Sequence, residues 1–202
     1  MKKTIFGLIA ILGLTAGSAS AQISYGVKAN ANMSNFILSD IDGLESNMKV
    51  GASLGGFANI GLGESFSIQP ELLVNMAFSE FKQAGQKSDF EYWGLELPVY
   101  AMYKFDAGAG KAYLGIGPYV GLGLSAQSKV GGEKYDLYEK NEAGNMLMQR
   151  FDFGFGAQAT YEFDFGMFIS GAYKIGVINA LDTDGDGKML PQMISLGIGY
   201  KF

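Results

Sequence analysis

The sequence predicts an all-β fold, namely an eight-stranded antiparallel up-and-down transmembrane β-barrel. Eight segments alternate apolar residues with small or polar ones, as strands with two different faces do. The connections between these segments alternate between short and long. After residue 21, no run of 18 or more apolar residues occurs, so the sequence predicts no transmembrane helix. A closed barrel is the other structure that leaves no backbone group unpaired in lipid.

Residues 1–21 are interpreted as a cleaved secretory signal peptide. Lys2 and Lys3 precede the apolar stretch from Ile5 to Leu14, and "ASA" at 19–21 is a small-x-small cleavage site. The competing interpretation, a buried N-terminal helix, does not explain this three-part pattern. We therefore expect residues 22–202 to form one barrel domain.

In each of the first four predicted strands, the apolar residues occupy either the odd-numbered or the even-numbered positions. ISYGVKANANM (23–33) is apolar at odd positions, and VGASLGGFANI (50–60) is apolar at even positions. SFSIQPELLVNMAF (65–78) follows the even pattern, and EYWGLELPVYAMYKF (91–105) follows the odd one. Each segment reaches or exceeds the roughly 9–11 residues that a tilted strand needs to cross a bilayer.

The last four predicted strands repeat this alternation. KAYLGIGPYVGLGL (111–124) is apolar at even positions, whereas RFDFGFGAQATY (150–161) and FISGAYKIGVI (168–178) are apolar at odd ones. The chain ends with MISLGIGYKF (193–202), in which the even positions are apolar up to the final Phe202.

The predicted connections fall into two classes of length. The short ones lie near 61–64, 106–110 and 162–166, and the long ones at 34–49, 79–90, 125–149 and 179–191. Outer-membrane barrels have short periplasmic turns and longer external loops. Eight strands with both chain termini on the side of the short turns have three short and four long connections, as the sequence predicts. The charged segment 131–144 is expected to be a surface loop or a strand extension.

The second face of these strands is rich in Gly, Ser and Tyr, which suits the narrow, side-chain-filled interior of an eight-stranded barrel. Charged residues also fall on this face, and they include Lys28, Glu71, Glu96 and Lys174. We expect them to form an interior charge network, with Arg150 or Asp152 as further members, because buried charges are normally paired. The alternative is an acid/base pair made by Glu71 and Glu96.

Aromatic residues near the strand ends are candidates for the girdles at the two membrane interfaces. Trp93 and Phe90 lie toward the long connections. Tyr103, Phe105, Tyr161, Tyr200 and Phe202 lie toward the short turns.

Composition excludes several functions. The chain has no His and no Cys, which excludes a Ser-His-Asp triad, disulfides and the usual imidazole or thiolate metal sites. Without Lys2 and Lys3, 13 basic residues face 20 acidic ones, a formal charge of −7 that argues against a nucleic-acid partner. We expect neither an enzyme nor a cofactor.

One acidic segment has the spacing of a metal site. Asp182, Asp184 and Asp186 match the start of a calcium loop, with Gly187 at the sharp turn. The twelfth position of such a loop should be Glu, and here it is Met193. A solvated acidic turn is therefore the alternative to a calcium site.

The chain resembles the PorT-like outer-membrane β-barrel family. The resemblance rests on YGVKANANMSNF (25–36), FSIQPELL (66–73), LELPVYAMYKF (95–105) and the terminal LGIGYKF (196–202). It implies an eight-stranded barrel in the cell outer membrane. It also implies that Tyr200 and Phe202 form an assembly signal read by the barrel-assembly machinery. One branch of the family is associated with protein secretion, so the resemblance alone does not define a function.

Three functions remain open at this stage. The first is an outer-membrane barrel with a closed interior and a structural or surface-interaction role through its external loops, in contact with outer-membrane lipid. The second is a small pore or a secretion-associated barrel. The third is a periplasmic ligand-binding barrel, which would need a polar exterior and an apolar cavity.

Overall fold

The computed structural model describes residues 22–41, 43–83, 86–139, 146–181 and 187–202. Antiparallel pairing joins nine strands within these ranges. They are β1 (Ile23–Ser39), β2 (Leu44–Gly61), β3 (Phe66–Gln83), β4 (Gln86–Ala107), β5 (Gly110–Val130), β6 (Glu133–Asp136), β7 (Phe151–Phe163), β8 (Met167–Gly176) and β9 (Lys188–Lys201). No helix among the described residues is long and apolar enough to cross a membrane.

Eight of the strands close into a ring in the order β1–β2–β3–β4–β5–β7–β8–β9. The ring is closed by β1 and β9, which pair from Gly26 and Lys201 at one end to Ser39 and Lys188 at the other. The short strand β6 pairs with the end of β5 and lies outside the ring order. The predicted all-β, eight-stranded antiparallel fold is therefore confirmed.

The three predicted short turns lie at 62–65, 108–109 and 164–166 in the structure. All three lie at one end of the ring, called here the short-turn end, which also holds Gln22 and Phe202. At Gly108 the backbone has a φ of +66°, a left-handed conformation that glycine adopts without steric cost.

The long connections were predicted wrongly, because in the structure they are shorter than the sequence pattern indicated. β1 and β2 leave only residues 40–43 between them, instead of 34–49, and β3 and β4 are paired as far as Gln83 and Gln86. β5 continues to Val130, and β9 already begins at Lys188. The strands therefore extend well past the predicted boundaries at the opposite end of the ring, called here the outer end.

The alternation did not predict these extensions, because the polarity of the two strand faces is reversed there. In the extensions the inward residues are apolar and the outward residues are polar. Along β1 the inward residues change from Asn32 and Ser34 to Phe36, while the outward residue Asn35 is polar. In β3 and β4, Phe81 and Phe90 point inward, and the charged side chains point outward. These outward charges are Glu80, Lys82, Lys87, Asp89 and Glu91. An apolar outer face is needed only within lipid, so the exchange marks where the strands leave the apolar belt.

Phe90 is correspondingly not an interface aromatic, which corrects the sequence prediction. It is buried inside the outer end and packs edge-on against Phe36, with ring centroids 5.3 Å apart. Trp93, its predicted companion, does face outward and is about half exposed.

A β-bulge and a tight hairpin shape the outer part of β5. The pairing of β4 and β5 shifts between Trp93 and Gly94, which leaves Leu124 as the additional residue on β5. After the bulge, Ala126 points inward and has no exposed surface. β5 then turns into β6 through Gly131 and Gly132, whose φ values of +60° and +97° suit the tight turns that favour glycine.

Candidate functional site

The middle of the barrel contains the four predicted inward charges in two separate ion-paired clusters. In the Lys28 cluster, Lys28 Nζ lies 2.9 Å from Glu71 Oε2 and donates a hydrogen bond of 2.8 Å to Gln158 Oε1. Gln69 Nε2 donates to Glu71 Oε1 at 2.9 Å. Lys28 and Glu71 are 4% and 3% exposed, so this charge pair is removed from water.

The second group, the Lys174 cluster, lies closer to the outer end. Lys174 Nζ donates to Glu96 Oε1, and Asn75 Nδ2 donates to Glu96 Oε2 at 2.9 Å. No hydrogen bond joins the two clusters among the described residues. Glu71 and Glu96 therefore each have a lysine partner and do not form an acid/base pair with one another.

Tyr100 crosses the lumen near the Lys174 cluster. It is 1% exposed, and a Cβ placed on Gly156 would lie 3.0 Å from the Tyr100 hydroxyl and 2.9 Å from Lys174 Cγ. The absence of a side chain at Gly156 on β7 therefore gives both residues their space. This explains physically why the inward face alternates glycines with large polar or aromatic side chains.

Arg150 and Asp152, the two optional members of the predicted network, have other partners. The Arg150 guanidinium stacks on the Tyr138 ring, 4.4 Å from its centroid. Asp152 Oδ2 accepts a hydrogen bond of 2.8 Å from the Tyr119 hydroxyl. Among the described residues, neither forms an ion pair within 4.0 Å.

A third charge cluster, partly buried at the short-turn end, was missed in the sequence analysis. Lys201 Nζ donates to Glu162 Oε2 and also to the Tyr113 hydroxyl, 3.0 Å away. Lys201 and Glu162 have the inward parity of their strands, so the alternation could have identified them. Phe202, next to Lys201, is 73% exposed, and its backbone N–H donates to the carbonyl of Tyr25 at 2.8 Å. Tyr200 and Phe202 stack edge-on outside the ring, with centroids 5.4 Å apart.

Among the described residues, small cavities lie inside the barrel on either side of the Lys28 cluster. The one near the short turns has a volume of about 20 Å³ and is lined by Gln69, Met102 and Tyr113, among others. The larger one, called here the inner chamber, has a volume of about 80 Å³ and lies toward the outer end. They share no lining residue, and Glu71, Leu73, Pro98 and Tyr100 separate them along β3 and β4.

The inner chamber has one polar side and one apolar side. Its polar side includes Asn75, Glu96, Tyr119, Asp152 and Lys174, and its apolar side includes Phe36, Phe90, Met148 and Ala180. The apolar side belongs to a hydrophobic cluster that fills the outer end, with Ala126, Tyr138 and Met189 as further members. The sequence pattern did not reveal this cluster, because its six buried residues come from six separate parts of the chain.

Beyond the hydrophobic cluster lies a third cavity, called here the outer pocket, which opens at the outer end and has a volume of about 390 Å³. Its walls are mainly apolar and include Phe81, Leu137, Leu147, Leu181 and Met189. It shares Phe90, Met148 and Ala180 with the inner chamber, so these three side chains form the partition between the two cavities.

The candidate calcium ligands Asp182, Asp184 and Asp186 lie outside the described residues. So do residues 1–21, on which the signal-peptide prediction rests. Within the described part of the chain, no three acidic side chains come together in a way that could hold a metal ion.

Comparisons with known proteins agree on the architecture. The sequence model of a family described as the outer membrane protein beta-barrel domain matches residues 16–182. The solved structure of Neisserial surface protein A (NspA) is 17% identical, with a TM-score of 0.51, 90% of this chain covered and 99% of that chain. OprG from Pseudomonas aeruginosa is 13% identical, with a TM-score of 0.52 and coverage of 89% and 94%. At these identities the two structures show a shared fold alone, and no curated protein matches the chain.

Proposed function

Because this chain belongs to the outer membrane protein beta-barrel domain family and lies in the cell outer membrane, we propose that it is a sealed barrel whose outer end contacts other molecules. The buried Lys28 cluster is the observation that supports a sealed lumen. It joins β1, β3 and β7 across the interior, and the cavities on either side of it are separate. Eight strands leave an interior that side chains just fill.

The extended outer end supports an interaction role. The strands there carry charged side chains on the outside, and several are paired, such as Lys87 with Glu80 at 3.4 Å and Lys134 with Glu91 at 3.6 Å. Strands paired beyond the apolar belt provide a rigid wall that lifts the hairpin tips away from the membrane surface. Rigid scaffolds that present connecting segments are a common arrangement for binding.

Within this family, the PorT-like assignment is a finer proposal. It is supported by the segments FSIQPELL and LELPVYAMYKF, which form the halves of β3 and β4 toward the short-turn end and provide Glu71 and Glu96. A secretion-associated role would follow from membership in that branch. Crosslinking from intact cells, followed by identification of the captured proteins, would distinguish a secretion partner from an extracellular one.

We propose a non-catalytic role without a resident cofactor. This is supported by the absence of His and Cys from the sequence and by the pairing of Glu71 and Glu96 with lysines. The alternative to a barrel without a cofactor is one that binds calcium at Asp182, Asp184 and Asp186. Calcium titration of the refolded barrel, compared with a variant that has Asn at these three positions, tests it.

Conductance across a planar bilayer tests the sealed lumen. We expect the purified wild-type barrel to give no stable porin-like current steps, because the ion-paired clusters leave no continuous water path. Insertion is verified on the same sample by resistance of the membrane-embedded strands to protease. Regular steps of porin size from inserted protein would contradict a sealed lumen and would favour a pore.

A further inference from the structure

The inner chamber is lined by one buried hydrogen-bond acceptor, Oδ1 of Asn75, that has no donor among the described residues. Asn75 is 2% exposed, and its Oδ1 has no hydrogen-bond partner among the described residues, although its Nδ2 donates to Glu96. Buried polar atoms are normally paired, so an unpaired acceptor in a cavity wall indicates a donor that enters the cavity.

Asp152 adds a negative charge to the same chamber. Its carboxylate accepts a hydrogen bond from the Tyr119 hydroxyl, but no cationic side chain of the described residues lies within 4.0 Å of it. Arg150 stacks on Tyr138, and Lys174 is paired with Glu96. The chamber therefore presents one unpaired acceptor and one carboxylate without an ion-pair partner, which favours a donating or cationic group over an anionic one.

The outer pocket supplies apolar surface next to this chamber. It is open at the outer end, where Leu147 is 51% exposed. Met148 lies in the partition between the two cavities, on an irregular segment between β6 and β7. Methionine is unbranched and adapts its shape readily, so this side chain can rearrange to connect the two cavities.

We propose that the outer pocket and the inner chamber together bind an amphipathic molecule with an apolar body and a cationic, hydrogen-bond-donating head. The head is bound by Asp152 and by Oδ1 of Asn75, and the body packs against the apolar walls of the outer pocket. The molecule enters from the outer end. The Lys174 and Lys28 clusters close the lumen beyond the head, so the site holds its ligand and does not conduct it.

Because the chain contains no cysteine, a single introduced thiol reports on the site. We would place Met148→Cys and, as an exposed control outside both cavities, Leu62→Cys on the turn between β2 and β3 in phosphatidylcholine nanodiscs. Each would be reacted with a cationic and an anionic methanethiosulfonate of similar size. We expect the cationic reagent to react about tenfold faster than the anionic one at position 148, because one carboxylate in a partly buried site attracts it. At position 62 the two rates should be similar.

Charge variants locate the origin of that preference. Asp152→Asn in the Met148→Cys background should bring the two rates together. Glu91→Gln removes an outward carboxylate on β4 and should leave the preference unchanged. Equal rates at position 148, or a preference that survives Asp152→Asn, would overturn the proposal.

Protection by a ligand analogue tests binding itself. 1-Naphthylmethylamine should slow the reaction of Met148→Cys with N-ethylmaleimide, and 1-naphthaleneacetate should not. Asp152→Asn should abolish the protection. Ala180→Cys, which lies in the same partition, provides a second reporter if Met148→Cys fails to fold. Absence of protection at both positions would show that the chamber holds water alone, and equal protection by the two probes would show apolar binding without the proposed head site. Either result would overturn the proposal.

Discussion

Lys28 on β1 and Glu71 on β3 form an ion pair across the intervening strand β2, with Nζ 2.9 Å from Oε2. In β2 the residue opposite Lys28 is Gly55, which has no side chain to separate them. Gln158 from β7 completes the contact from the far wall. Three strands that are not neighbours in the ring are thus connected through the lumen.

Removal of one partner of this pair should destabilise the barrel. Glu71→Gln leaves Lys28 as a buried charge without its counter-ion, and the expected loss is about 3–5 kcal/mol in the free energy of unfolding. Urea unfolding in lipid vesicles measures the loss through the fluorescence of Trp93, the only tryptophan.

A double variant is the control for this prediction. Lys28→Met with Glu71→Gln removes both charges, so it should be clearly more stable than Glu71→Gln alone. If Glu71→Gln unfolds at the wild-type urea concentration, the pair is hydrated and the lumen is not sealed at this point.

Gly156 should tolerate no side chain, because Tyr100 and Lys174 occupy the space above it. Gly156→Ala is expected to lower the free energy of unfolding by about 1–3 kcal/mol, as overpacking does in well-packed interiors. Gly171→Ala on β8 is the matched control, since a Cβ there would meet its nearest atom, Leu196 Cδ2, at 3.7 Å. Equal unfolding midpoints for the two variants would contradict the packing described for Tyr100.

The closed ring should give heat-modifiable mobility in gel electrophoresis. All eight ring strands are paired on both sides, so detergent finds no free edge until the sample is boiled. The unboiled and boiled bands should therefore differ, and the protein should fractionate with outer membranes. A single band position in both samples would argue against a closed barrel.

Phe202 is expected to matter more for assembly than for folded stability. Its ring is exposed and stacks only edge-on against Tyr200 among the described residues, so it adds little packing. A chain that lacks Phe202 should show less barrel in the outer membrane of cells and more misfolded protein in the periplasm. The same chain refolded in vesicles should unfold close to the wild-type midpoint. Normal assembly in cells would show that Phe202 is not part of an assembly signal.

The sequence by itself determined the architecture within the apolar belt. Period-two alternation fixed the strands and their faces, since lipid requires an apolar side chain at every second position. It also placed Lys28, Glu71, Glu96 and Lys174 on the inward face, because a residue's odd or even position in its strand decides which face it occupies. The short turns followed from the same pattern.

The tertiary structure decided the partners of these charges and the shape of the outer end. Parity does not say how far one strand is shifted along another, and this shift determines that Lys174 meets Glu96 while Lys28 meets Glu71. Beyond the belt, lipid no longer constrains the outer face, and apolar residues such as Phe36 and Phe90 turn inward. Their inward packing, and with it the inner chamber and the outer pocket, depends on closure of the ring, which brings together side chains that are far apart in the sequence.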